Sequence, residues 1–261
     1  MDEQKLPLTA HLAELRKRLF WILGAWLLAT AAAWSFRDAI FGYLLRPATE
    51  ALRTLGDDAG PLQAIAPTEI LFTHIKCALL AGFVASLPIT FWHLWGFIAP
   101  GLYPSEKRAA LPFVLVSTVL FIGGALFGHT FVFPIIYKFF ASFSSDYVQA
   151  AWTMREVFGM NVQLLLAFGL GFELPVVIYF LALTGIVEPR GLLRGTKYGV
   201  LVAFVVAAVV TPTPDIVTQL LLAGPLCLLY LVGVGAAYLF VPRAKAQEPA
   251  AGSVLPTRSP S

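Results

Sequence analysis

The sequence predicts an all-α integral membrane protein of about six transmembrane helices, two of them short, with an outer cap of loops and short helices. Three observations carry that reading. The 261-residue chain is 58% hydrophobic and only 13% charged, where soluble domains carry about 25% charged residues. Its apolar residues gather into six runs, and mean hydropathy is +0.78. The basic residues divide unevenly between the two sets of connecting segments, as they do in polytopic membrane proteins.

The chain opens with residues 8–19, L-T-A-H-L-A-E-L-R-K-R-L. Leu8, Leu12, Leu15 and Leu19 recur at helical spacing and make one apolar stripe. His11, Glu14 and Arg18 share another face. The pattern predicts a short amphipathic helix lying on a membrane surface, with Arg16, Lys17 and Arg18 at the aqueous boundary. The first apolar run covers 19–36. The second covers 70–98, is interrupted by Pro88 and holds Lys76. The third covers 111–133, and the fourth covers 158–183 with Pro175 inside. The fifth, 198–210, falls well short of the roughly 20 residues needed to cross the hydrocarbon. The sixth, 216–240, is effectively short too if Pro225 bends it.

These runs predict a single polytopic domain over 1–242. The tail, 243–261, is rich in Ala, Pro, Ser and Gly and is expected to be disordered. Segments 37–69 and 134–157 contain aromatic residues and Leu, and are expected to form the outer cap. Pro47, Pro100 and Asp215 are expected to shape loops. With the N-terminus inside and an even number of spans, 12 Lys and Arg fall inside, 5 outside, and Lys76 within a span. Both termini are therefore expected in the cytoplasm.

Several classes fall away. A net charge of +3, with no basic patch, gives no reason to expect nucleic acid. Cys77 and Cys227 lie in apolar runs and read as small buried hydrophobes. Asp2 and Glu3 are wrong for the basic start of a cleavable signal peptide. There is no H-E-x-x-H, G-x-S-x-G or phosphate-binding loop, and His11, His74, His93 and His129 are scattered. Neither an enzyme nor a metal or cofactor site is expected.

What remains is a sparse set of charges in or beside the membrane. Glu14 either pairs with Arg18 at i, i+4 or awaits a cation from another molecule. Glu106, in P-G-L-Y-P-S-E-K-R-A at 100–109, has the same choice, with Lys107 or Arg108 as its neighbour. Glu173, in F-G-L-G-F-E-L-P-V at 168–176, is the one carboxylate deep in a span. At that depth it must be paired, protonated or facing water, and such residues are functional by default. Lys76 can snorkel to the outer interface. T-P-T-P-D at 211–215, followed by Gln219, places a polar tip on the last helical pair.

Four stretches together identify a resemblance. H-L-A-E-L-R-K-R-L at 11–19, F-I-A-P-G-L-Y-P-S-E-K-R at 97–108, F-G-L-G-F-E-L-P-V at 168–176 and T-P-T-P-D-I-V-T-Q at 211–219 stand in the order of the TatC family. TatC is the polytopic subunit of the twin-arginine, Sec-independent protein translocase. The resemblance runs from His11 to about Phe240. It implies six spans in a concave, glove-like arrangement, in a bacterial plasma (inner) membrane, with both termini cytoplasmic. It implies a receptor for signal peptides carrying two adjacent arginines, with Glu14 and Glu106 as the carboxylates and Arg16 beside them. It implies transport of folded proteins driven by the proton-motive force, since no nucleotide site is present. Thr211 and Gln219 match positions where the family meets the single-span partners TatA and TatB, and the chain is expected to form a homo-oligomer within that complex. Glu173 is expected to face the hollow. Lys107 departs from the arginine of many relatives, and the tip at 211–215 varies in length. The alternative is a proton-coupled small-solute transporter with Glu173 as the proton site.

Overall fold

The computed structural model describes residues 8–55, 61–98, 110–145, 147–148, 150–211 and 215–240. These residues are helical almost throughout, with isolated bridges at Gln63–Thr153 and Ser145–Val148. Among them, five helical runs are long and apolar enough to cross a membrane, and Thr196–Val210 is a shorter apolar helix.

Helix α1 spans Leu8–Ala33 without a break. The amphipathic segment expected to lie apart on the surface is thus the first turns of the first span. No proline interrupts residues 8–33, and Ala and Leu, strong helix formers, dominate the stretch. A 3₁₀ turn at Trp34–Phe36 leads into α2, Arg37–Arg53. Helix α3, Pro67–Ile98, starts with Pro67 and Glu69, which suit a first turn, and continues through Pro88. Helix α4, Ala110–Phe127, passes through a π turn at Gly128–Val132 into α5, Phe133–Ala141. The wide turn carries the chain past Pro134. Helix α6, Met154–Phe172, is capped by Thr153, whose hydroxyl accepts from the Glu156 N–H at 3.3 Å. It bends at Glu173 into α7, Leu174–Leu183, where Pro175 occupies the first turn. Gly185, at φ 73°, supplies the left-handed turn that follows. The short α8, Pro189–Arg194, precedes α9, Thr196–Val210, and α10, Ile216–Phe240. Asp215 caps α10, accepting from the Thr218 N–H at 2.7 Å.

Of the two spans expected to be short, α9 is. Its 15 residues reach about 22 Å, against roughly 30 Å of hydrocarbon. Helix α10 is not: it runs 25 residues straight through Pro225. A proline removes one donor but need not end a helix whose neighbours hold it in place. Here α7 and α9 both pack on α10, and Leu226 is buried.

The cap forms from α2 and α5 at one end of the bundle. One face of α2, Leu44, Leu45, Ala48, Ala51 and Leu52, is buried. Tyr137 donates to Asn161 Oδ1 at 2.7 Å, and Asn161 donates to the Leu44 carbonyl at 2.8 Å, so one network joins α5, α6 and α2. Pro47 is not in a loop but inside α2, and it is buried. Its missing N–H leaves the Tyr43 carbonyl without a helical donor, and His129 Nε2 donates there instead, at 3.0 Å. Backbone bonds at Gln63–Trp152 and Met154–Gln63 clip the segment before α3 to the start of α6.

Below the cap, Leu87, Phe91, Trp95, Phe121, Val176 and Phe180 form a second core between α3, α4 and α7. Helix α1 sits at the edge and rests chiefly on α3. The approach is close: a Cβ on Gly82 would lie 2.6 Å from Thr30 Cα. Helices α9 and α10 form a hairpin. The Gln219 amide donates to the Phe204 carbonyl at 3.3 Å, and the Tyr230 hydroxyl donates to the Leu192 carbonyl at 3.0 Å.

Candidate functional site

The first turns of α1 bring Glu14 and Arg18 onto the face that meets α3. Arg18 Nε and Nη2 both donate to Glu14 Oε1, at 2.9 and 2.6 Å. Arg18 Nη1 donates to the His93 carbonyl near the far end of α3, at 3.2 Å. Side-chain exposure is 33% for Glu14 and 23% for Arg18, so the pair is partly open to solvent. Exposed i, i+4 pairs contribute about 0.3–0.5 kcal/mol, so little holds it closed. Both bonds converge on one oxygen, and no described residue bonds the other.

Arg16 lies on a different face of α1. With Ala13, Lys17, Phe20, Trp21 and Gly24 it lines an open groove of about 740 Å³. These positions follow helical spacing, so two cations and two aromatic rings share one stripe. Arg16 thus presents its charge beside the Glu14–Arg18 pair rather than to it. Glu106 and Pro100 lie outside the described residues, as do Lys107, Arg108, the tip at 212–214 and the tail.

Glu173 does not open onto a wide hollow. It is 8% exposed, its Oε1 has no hydrogen-bond partner, and the Ser117 hydroxyl of α4 stands beside it. Ser117 is itself fully buried and accepts from Trp95 Nε1 at 3.1 Å. Glu173 is the junction residue between α6 and α7, just before Pro175. Ser117 and Trp95 gave no sign of this in the sequence, because a serine and a tryptophan in apolar runs look like packing.

Thr211 ends α9 and is 9% exposed, so its side chain faces the bundle. Gln219 is half-buried and bonded across the hairpin. Asp215 is a helix cap, as its place before α10 allows. The two termini of the hairpin tip thus serve the hairpin's own closure, and Val209, Ile216, Val217 and Leu220 are exposed beside them.

Residues 10–225 match the family described as Sec-independent protein translocase protein (TatC). A Sec-independent protein translocase protein TatC of Magnetococcus marinus is 41% identical over 232 residues, covering 89% of this chain and 84% of the relative. The protein of the same description from Desulforapulum autotrophicum is 40% identical over 239 residues, covering 92% and 87%. A crystal structure of a twin arginine translocase receptor, TatC, superposes with a TM-score of 0.76 at 35% identity, covering 88% of this chain and 98% of that one. With the same helices in the same order along nearly its whole length, this multi-pass membrane chain belongs to the TatC family of Sec-independent protein translocase proteins.

Proposed function

We propose that this chain is the signal-peptide receptor and core subunit of a translocase that exports folded proteins, working with single-span TatA- and TatB-type partners. The observation that carries the receptor role is the Glu14–Arg18 pair. It is intrahelical, partly open to solvent, and uses one of two carboxylate oxygens. A guanidinium from an incoming peptide offers the same planar fork as Arg18, and can take its place at small cost. Lysine, a point donor, matches that geometry poorly. Glu106 supplies the second carboxylate in this reading, and Arg16 a charge that orders the flanking peptide or the lipid headgroups.

The orientation follows from charge. With both termini in the cytoplasm, 12 basic residues lie inside and 5 outside, so α2 and α5 cap the outer face of a bacterial inner membrane. Glu14 then stands at the inner surface, where a precursor arrives. The short α9 requires the bilayer to thin or the helix end to sink, which lowers the thickness a cargo has to cross. A partner helix rests on the hairpin's exposed flank, with Gln219 as its polar anchor; Thr211 supports from within. An inter-helical bond of this kind contributes about 1 kcal/mol, which suits a reversible contact. Further copies of the chain complete the assembly, and the proton-motive force drives it.

The test is direct binding of a twin-arginine peptide, and of its twin-lysine counterpart, to the purified full chain. The wild type is expected to prefer the arginine peptide at least tenfold, and Glu14→Gln to lose most of that preference. Equal binding of both peptides, or no effect of Glu14→Gln, would overturn the receptor role.

A further inference from the structure

A second groove lies away from the Glu14 end, between α1, α3 and α6. It encloses about 620 Å³. Its composition is graded along its length. Helices α3 and α6 start side by side, because Glu69 Oε1 accepts from the Arg155 N–H at 2.8 Å. Arg155 is therefore at the cap end of the groove. Lys76 and Gln163 each follow the start of their helix by nine residues, which puts both about 13 Å further in. Beyond them the walls are apolar, with Leu79, Leu80 and Phe83 on α3 and Leu166 on α6; Val162 and Trp26 of α1 also line the groove.

No described carboxylate lies within ion-pair distance of Lys76 or Arg155. Glu69 feels the charge of Arg155, but its oxygens accept from the backbone N–H groups of Ile65, Ala66 and Arg155 rather than from the guanidinium. Lys76, Arg155 and Gln163 are all exposed. Two cations without an ion pair among the described residues, and an amide, in a lipid-facing groove favour an anion with acceptor oxygens. The long apolar wall beneath them requires a hydrocarbon tail attached to it. Lys76 is deep enough that its stem must run up the groove to meet the headgroup region.

We infer that this groove holds one anionic phospholipid of the leaflet on the cap side. Its phosphate sits between Arg155 and Lys76, a glycerol ester oxygen accepts from Gln163, and one acyl chain lies against Phe83 and Leu166. A headgroup without its own ammonium is favoured, since two protein cations face it. The site is separate from Glu14 and does not depend on peptide recognition.

The test is native mass spectrometry of the full chain, equilibrated in detergent with equimolar dioleoylphosphatidylglycerol and dioleoylphosphatidylcholine. The wild type is expected to retain one phosphatidylglycerol at least fivefold over phosphatidylcholine. Lys76→Gln/Arg155→Gln should bring that ratio close to one, while Arg53→Gln/Lys138→Gln in the cap should leave it unchanged. Gly159→Leu supplies an independent check. A Cβ at Gly159 meets no atom within 4 Å, so the new side chain fills the groove without disturbing the fold and should expel the lipid. Equal retention of the two lipids by the wild type would overturn the proposal, as would unchanged selectivity in both groove variants. Displacement by millimolar glycerol 3-phosphate would make it a free-anion site instead. Displacement mole for mole by a twin-arginine signal peptide would make it a peptide groove. Either result also overturns the proposal.

Discussion

Arg18 sets two donors on the same oxygen of Glu14, at 2.9 and 2.6 Å, and no other described residue bonds the second oxygen. The pair is a placeholder of low cost. Removing Arg18 should therefore help a competing guanidinium. Arg18→Gln is expected to tighten binding of a twin-arginine peptide about twofold, which corresponds to the roughly 0.4 kcal/mol of an i, i+4 pair. Titration calorimetry on the purified chain reads this. A tenfold loss would mean that Arg18 holds Glu14 in its working position.

Asn161 is fully buried and joins three helices through Tyr137 and the Leu44 carbonyl. Asn161→Ala removes two buried hydrogen bonds and opens a void, although the Tyr137 hydroxyl keeps the Val157 carbonyl at 3.3 Å. A cost of about 2–4 kcal/mol is expected. Tyr137→Phe should cost less, about 1–2 kcal/mol, because Asn161 keeps its bond to Leu44. The two variants are compared by thermal unfolding in detergent. Equal losses would show that the Asn161–Leu44 bond contributes nothing.

Pro47 and His129 are coupled through the Tyr43 carbonyl. His129→Ala is expected to destabilise the chain by about 1–3 kcal/mol, since it strands that carbonyl and loses the ring stacked on Tyr43 at 4.3 Å. In a Pro47→Ala background the new N–H can reach the carbonyl four residues back. The same histidine change should then cost about 1 kcal/mol less. A double-mutant cycle measures the difference, and strict additivity would disprove the coupling.

Gly82 lets α1 approach α3, and α1 has little else to lean on. Gly82→Val is expected to lever α1 away and loosen Arg18 from the His93 carbonyl, which it now reaches at 3.2 Å. The readout is an engineered cysteine pair bridging α1 and α3, whose oxidation should slow at least tenfold. Unchanged cross-linking would mean that the helix accommodates the side chain by rotation.

Much of the fold was legible because lipid imposes a long apolar run for each crossing. All six runs became helices, and the two aromatic-rich segments became a cap. The failures share one cause. Pro47 read as a loop residue and Pro225 as a bend, because a proline's local cost is visible in sequence while its compensation is not. His129, 82 positions after Pro47, takes up the freed carbonyl in one case. In the other, flanking helices hold α10 straight. Glu173 read as a group facing a hollow, because depth follows from position in a run but direction follows from where the helix turns. The residues proposed to bind the signal peptide came from a motif, not from physics: Glu14 beside Arg18 is an ordinary helical pair.

By itself, the order of residues decided which segments leave water, roughly how far each can reach, and which few charges must be accounted for. Those are consequences of transfer free energy, which depends on composition within a single stretch. Only the tertiary structure decided which of those charges are already matched. Arg18 found Glu14 one turn away, the carboxyl of Glu173 turned inward toward Ser117, and Lys76 and Arg155 were left facing the same groove without an ion pair among the described residues. Pairing depends on distances between helices far apart in the chain, and packing alone sets those distances.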